Sequence, residues 1–374
     1  MRASMSKKTI IIILGAAALM LILGWFYLII KWWPEICPSN MNTARNETML
    51  IFSTSTANRL SPEPKEIKII AVGDIMLSRT VEQKMLDKNN FDYPFLKMKE
   101  YLKTADLAFG NLETAITPGR VIESGEMTFR ADPKVAQILR NNNFQIVSLA
   151  NNHTPNFGQK GLKDTFEYLT RAGIKYAGAG NNLEEARRAQ YLKVGDINIA
   201  WLSRTEQVMV PESYAAGEIK AGTAFWDKQE IADAVKAAKE KADLVIVSMH
   251  AGVEYRPKPT EEQQAFARAA IEAGAEIVIG HHPHVVQSAE KYQGKYIFYS
   301  LGNFIFDQMW SRETREGITL EITLTKSGVN QIAVTPILIE DYCQPRMLTG
   351  EEGEKIIKRL EMETEEKGED YILK

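Results

Sequence analysis

The chain of 374 residues contains five histidines, and three of them fall within four positions: His281, His282 and His284, in "IVIGHHPHVVQ". The other two are His153, in "SLANNHTPNFG", and His250, in "VIVSMHAGVEY". Each stretch begins as an apolar run and turns polar at its end. The same switch occurs at "IIAVGD", which delivers Asp74, at "LAFGNLE", which delivers Asn111 and Glu113, and at "FYSLGNF", which delivers Asn303. Asn152 precedes His153 directly. Imidazole nitrogen, carboxylate oxygen and carboxamide oxygen together suit divalent transition metals, with Mn, Zn and Fe the natural candidates. Taken singly these residues are ordinary. A strand-end histidine is more often a capping or core residue, a Gly-Asp is mostly a turn, and "NNH" could be a loop whose amides satisfy backbone groups. The entire histidine content gathered at such ends, with a carboxylate or carboxamide at each of the others, predicts a metal or anion site.

The elements that must position these residues follow from the same pattern. Short β-branched runs of the doubly buried type recur at "IKIIAVGD", "ADLAFGNLE", "FQIVSLANNH", "INIAWLSRT", "ADLVIVSMH", "AEIVIGHHPH" and "KYIFYSLGNF". Helical patterns lie between several of them: "DPKVAQILRNN", "QKGLKDTFEYLTRAG", "DKQEIADAVKAAKEKA" and "TEEQQAFARAAIEAG". Alternation of strand and helix predicts an α/β domain with a substantially parallel sheet. In such a sheet the C-terminal strand ends share one edge, and sites form in the crevice there. "GITLEITLTKSGVNQIAVTPILIE" alternates around a turn and predicts an antiparallel hairpin. Residues 343–374 are charged and read as a solvated, helical C-terminal tail.

The N-terminus has a different character. Arg2, Lys7 and Lys8 precede an uncharged run from Ile10 to Ile30. At 1.5 Å per residue that run spans roughly 30 Å, about one bilayer core. It exceeds the roughly 7–15 apolar residues of a signal peptide and ends among Trp25, Tyr27, Trp32 and Trp33, which suit a membrane interface. The expectation is a cytoplasmic segment 1–9, a transmembrane anchor over 10–33 and an extracytoplasmic stalk over 34–65, rich in Ser, Thr, Asn and Pro. The positive-inside rule places the N-terminus in the cytoplasm and the 66–342 domain outside, at the cell membrane on a single pass. Cys37 and Cys343 would both be extracytoplasmic, where a disulfide can form. The formal net charge of -3 and the lack of a basic stripe exclude nucleic acid as a partner class.

"AVGDIML", "GNLETAIT", "FRADP", "VSLANNHTPNFGQKGLKDT", "AGAGNNLEEAR", "HAGVEY", "VIGHHPHVVQ" and "YSLGNFIFDQ" resemble, in order, the motifs of the CapA family of bacterial capsule-synthesis proteins. The resemblance covers roughly residues 67 to 308. That family includes the membrane-anchored component of poly-γ-glutamate synthesis machinery and looks like the calcineurin-type metallophosphoesterases. It implies a four-layer α/β/β/α sandwich with a metal site at the strand ends. Residue by residue, it makes Asp74 the first metal aspartate and puts Glu113, with Asn111 beside it, in the place of the bridging carboxylate. It makes Asn152 a ligand and His153 an outer-sphere acid or charge stabiliser, the one catalytic candidate. His250 matches the solitary ligand histidine, and His282 with His284 the closing pair, with His281 the alternative partner. Glu254 and Asn303 belong to family motifs. Where phosphoesterases place a histidine two residues after the first aspartate, this chain has Met76, which implies one ion rather than two. Asn156 and Ala251 stand where many members have aspartate and tryptophan.

Two functions follow from the resemblance. One is a membrane component of capsule or poly-γ-glutamate biosynthesis or export, working with other membrane components of a polymer synthase on an anionic polymer. The other is an extracytoplasmic metal-dependent phosphoesterase.

Overall fold

The computed structural model describes residues 65–208, 210–368 and 370–374. The anchor, the stalk and Cys37 therefore lie outside the described residues, and among the described residues no helix is long and apolar enough to cross a membrane. The chain begins with β1 (Ile67–Ile75), α1 (Arg79–Asp87), β2 (Leu107–Leu112), α2 (Lys134–Asn141), β3 (Phe144–Ser148), α3 (Gly158–Arg171) and β4 (Lys175–Ala177). A second run follows: β5 (Gln190–Val194), β6 (Ile197–Thr205), α4 (Lys228–Lys239), β7 (Leu244–His250), α5 (Glu261–Ala273), β8 (Ile277–His281), β9 (Ala289–Tyr292) and β10 (Lys295–Phe298). The chain closes with β11 (Asn303–Ile305), β12 (Glu316–Thr325), β13 (Gly328–Glu340), β14 (Gln344–Met347), α6 (Gly350–Ile357), β15 (Thr364–Lys367) and β16 (Asp370–Leu373).

These strands form two large sheets. The first has ten strands, with the path β15-β16-β13-β12-β1-β2-β3-β4, β11 joined to β1 and β14 to β13. The second has six, in the order β9-β10-β8-β7-β6-β5. Strands β1 to β4 run parallel, as do β6, β7, β8 and β10. The predicted hairpin is β12–β13.

The continuous apolar runs are explained by burial on both faces. In β1, Ile70 and Val72 pack against the helices α1, α2 and α3, whereas Ile69 and Ala71 face the other sheet. In β7, Ile246 faces the first sheet, while Val245 and Val247 pack under α4 and α5. Three apolar layers separate four structural layers, which gives the helix/sheet/sheet/helix sandwich.

Two segments differ from expectation. The tail after Cys343 is not a solvated helix alone. It supplies β14, the helix α6 and the β15–β16 hairpin, and β16 extends the first sheet through Val334↔Tyr371 and Ala333↔Ile372. Ile356, Ile357, Leu360, Tyr371 and Leu373 join the inter-sheet core, so a few apolar residues, spaced among many charges, determine the packing. The single run "KYIFYSLGNF" breaks at Gly302 into β10 of the second sheet and β11 of the first. Cys343 is buried, its thiol pushed up to about 12 by burial and then Asp341.

Candidate metal-binding site

The parallel strands of both sheets end on one rim. In the first sheet Asp74 stands in register with Asn111 on one side and with Asn303 on the other. Glycine makes this possible, because a Cβ at Gly73 would lie 2.0 Å from the Gly302 carbonyl oxygen. In the second sheet His250 pairs with His281. After β8 the chain turns through left-handed backbone at His282 (φ 101°) and His284 (φ 58°). Such conformations cost about 1–3 kcal/mol each for a non-glycine residue. The turn is held by the His282 N–H, which donates to Asp74 Oδ2 at 3.2 Å, and by the Tyr255 N–H, which donates to the Pro283 carbonyl at 2.8 Å.

Asp74, Glu113 and His250 each present a ligand atom, all within 4.8 Å of one another and all buried. His250 Nε2 lies 3.0 Å from Asn152 Oδ1, and its ring centroid is 4.6 Å from that of His282. His284 places Nδ1 3.6 Å from Asp74 Oδ2 and Nε2 3.9 Å from Glu113 Oε1. His153 places Nε2 3.8 Å from Glu113 Oε1. Asn111 donates into the cluster from below, and Asn303 accepts from His284. His281 stands apart: its Nε2 donates to the Val72 carbonyl at 3.3 Å and its Nδ1 faces Ser248 Oγ at 3.4 Å, tying the two sheets together. Glu254 is half-buried on the wall of a cleft of about 260 Å³, whose lining also includes Arg79, Phe129, His153, Tyr255, His284 and Trp310. Met76 is fully buried in the helix-side core, with Sδ 3.1 Å from the Ser78 amide.

Neighbouring backbone groups fix the protons on the side chains. Asn303 donates to the Thr314 carbonyl at 2.9 Å, so its oxygen faces His284 Nδ1 at 2.9 Å, and that nitrogen carries a hydrogen. Asn156 Oδ1 accepts from the Phe129 N–H at 2.8 Å, so the His153 Nδ1 that also faces it at 2.9 Å is protonated. His153 Nε2 is then a lone pair facing Glu113. Burial lowers the His153 pKa to about 3, so the ring is neutral. Burial also holds His250 well below the usual histidine value and His282 down at about 4. Burial and the charge of Asp74 raise the Glu113 carboxyl well above the usual range. Asp74 itself lies below its ordinary value: burial pushes it up, and His284, His281 and Asn111 outweigh that. His284 is raised to about 9, because Glu113 and Asp74 overcome the opposing effect of burial.

A pH dependence follows with a definite sign. A histidine whose pKa is raised on folding stabilises the protein fully below its unfolded value near 6.5, and that contribution disappears as pH rises through about 9. Glu113, also raised, acts with the same sign. Ion-free protein is expected to lose unfolding free energy between pH 6.5 and pH 9.5 in denaturant titrations, and His284→Gln is expected to flatten the slope. An equal slope in the variant would exclude His284 as its source.

The donor set fits a divalent ion. Two buried polar atoms in the cluster, Glu113 Oε1 and His282 Nδ1, have no hydrogen-bond partner. Groups left this way in a native structure call for an explanation, and an unpartnered carboxylate oxygen and imidazole nitrogen beside further imidazole and carboxylate donors suit a cation. Asn151 and Asn156 orient this cluster without having stood out as candidates, and Ser248 holds His281 outside it. Asn151 carried a signal nonetheless, as the first of two asparagines at a strand end.

Fold and rim together define an α/β/β/α sandwich domain with a buried donor cluster at its strand ends that could hold a metal ion. A family model described as "Bacterial capsule synthesis protein PGA_cap" matches residues 68–308, and the chain belongs to that family. It is 35% identical over 273 residues to the PGA biosynthesis protein CapA of Bacillus subtilis (strain 168), covering 72% of this chain and 71% of that one. It is 31% identical over 318 residues to the capsule biosynthesis protein CapA of Bacillus anthracis, covering 81% and 74%. Among solved structures, the calcineurin-like phosphoesterase YfkN from Bacillus subtilis aligns at a TM-score of 0.44 with 13% identity, covering 79% of this chain and 96% of that one.

Proposed function

We propose that this protein is a single-pass, membrane-anchored, extracytoplasmic component of capsule or poly-γ-glutamate synthesis or export, working with the other membrane components of the polymer synthase. Its rim site holds one divalent ion through His250, His282, Asn152 and Glu113, with Asp74 and His284 alongside. A bound ion supplies a positive centre that can anchor an anionic group of the polymer. Glu113 Oε1 and His282 Nδ1, buried and unpaired, carry the ion-binding reading. Relatives named for capsule and PGA biosynthesis support the pathway, and the uncharged Ile10 to Ile30 run behind three cations supports the anchor. His153 touches the same cleft with a neutral Nε2 lone pair. That is an acceptor, suited to receive a hydrogen bond from a ligand, and it lacks the proton a general acid must give.

The test is complementation in a polymer-producing strain lacking this chain. The full chain is expected to restore polymer, and a version without residues 10–30 is expected to leave yield near that of the deletion strain. Full yield from the shortened version at equal abundance would refute the anchored role. Unchanged yield on deleting the whole chain would refute the role in polymer synthesis.

A further inference from the structure

The position between the two ends of the cluster is held by a carboxamide whose orientation is fully determined. Asn151 Oδ1 accepts from the backbone N–H of His153 at 3.0 Å and of Thr154 at 2.7 Å. Backbone N–H groups only donate, so the oxygen of Asn151 must face them. Its NH₂ faces the other way and donates to the Leu112 carbonyl at 2.9 Å and to Asn111 Oδ1 at 3.0 Å. The Leu112 carbonyl only accepts, which fixes the same orientation a second time. The oxygen of Asn111 is thereby engaged on the far side, and its NH₂ must point into the cluster. It lies 2.8 Å from Asp74 Oδ1, 3.2 Å from Glu113 Oε2 and 3.2 Å from His250 Nδ1. All of these groups are buried.

Three acceptors, two of them carboxylate oxygens, thus converge on two amide hydrogens. This is where a cation shared by Asp74 and Glu113 would sit. A carboxylate at position 111 would add a negative ligand there. The carboxamide presents partial positive charge, and it cannot rotate without breaking the hydrogen bond that its oxygen accepts from Asn151. We infer that Asn111, locked by Asn151, takes the place of a second cation and limits the cluster to a single ion. The inference rests on the proposed ion-binding role of the rim. It assigns Asn151, outside the cluster, as the positioning residue that sets how many ions bind.

Two substitutions separate this from a merely structural role. Asn111→Asp puts a carboxylate in the cluster itself. Asn151→Asp substitutes no residue that faces the ion: one carboxylate oxygen can keep the His153 and Thr154 N–H bonds, and the other loses the bond to the Leu112 carbonyl and can only accept from the NH₂ of Asn111, turning the Asn111 oxygen inward as a ligand. Purified full chain, stripped with chelator and titrated with Mn²⁺ or Zn²⁺, is read by elemental analysis and calorimetry, with thermal melts reporting folding and ion-linked stabilisation. Wild type is expected to bind one ion per chain. Both variants are expected to bind a second, with an apparent dissociation constant at least about tenfold below that of any second binding in wild type. Two ions in wild type, or one in both folded variants, would overturn the inference while leaving the ion-binding role intact. No ion in wild type but ions in the variants would support the inference and sink the single-ion site. No ion in any of the three would overturn both.

Discussion

The double variant His250→Ala, His282→Ala is expected to lose its ion while keeping its fold. His250 ends β7 with Nε2 3.0 Å from Asn152 Oδ1, and the His282 ring, 4.6 Å away, carries an unpaired Nδ1. Both rings are neutral through burial, so neither carries a positive charge that would repel a cation. Loss of a single supporting group around a metal typically costs 10–100-fold in affinity. Removing two direct donors is therefore expected to weaken binding by at least about 100-fold. The fold should survive because both side chains sit at strand ends, beyond the apolar layers that join the sheets. Elemental analysis of wild type and variant after identical loading, with circular dichroism as a folding control, decides the matter. Equal metal content in the two proteins would rule the site out.

His153→Ala is expected to separate binding from turnover. The His153 ring stacks on Phe129 with centroids 3.8 Å apart, and Asn156 holds its Nδ1 hydrogen. With Nε2 unprotonated and a pKa near 3, His153 has no proton to donate at neutral pH. A positioned acid contributes about 10²–10⁴-fold to rate where one is used. A polymer-binding site that does not use one should tolerate the change. Polymer yield with His153→Ala is therefore expected to stay within about twofold of wild type, far inside that range, with metal content unchanged. A collapse of yield with the ion still bound would make this protein an enzyme and His153 its proton-transfer residue. Hydrolysis of a phosphodiester by wild type, abolished in the variant, would lead to the same conclusion.

Much of this was written locally in the chain. A run buried on both faces must be apolar throughout, so the strands of the central sheets are visible as uninterrupted β-branched segments, and the polar residue that ends each one marks the rim. Asp74, Glu113, Asn152 and His250 are legible for that reason. What the sequence could not decide was direction. His281 and His282 are adjacent and identical in type, yet one ties β8 to β1 and the other faces the cluster, because the chain leaves the strand through left-handed backbone at φ 101°. The roles of Asn111 and Asn151 were equally hidden. Either end of a carboxamide can face a metal site, and only the fold, which sets the NH₂ of Asn151 against the Asn111 oxygen and the Leu112 carbonyl, turns the NH₂ of Asn111 inward. The tail shows the same division: its charges dominate the composition, while Ile356, Ile357, Tyr371 and Leu373 decide the structure by meeting a core built from residues far earlier in the chain.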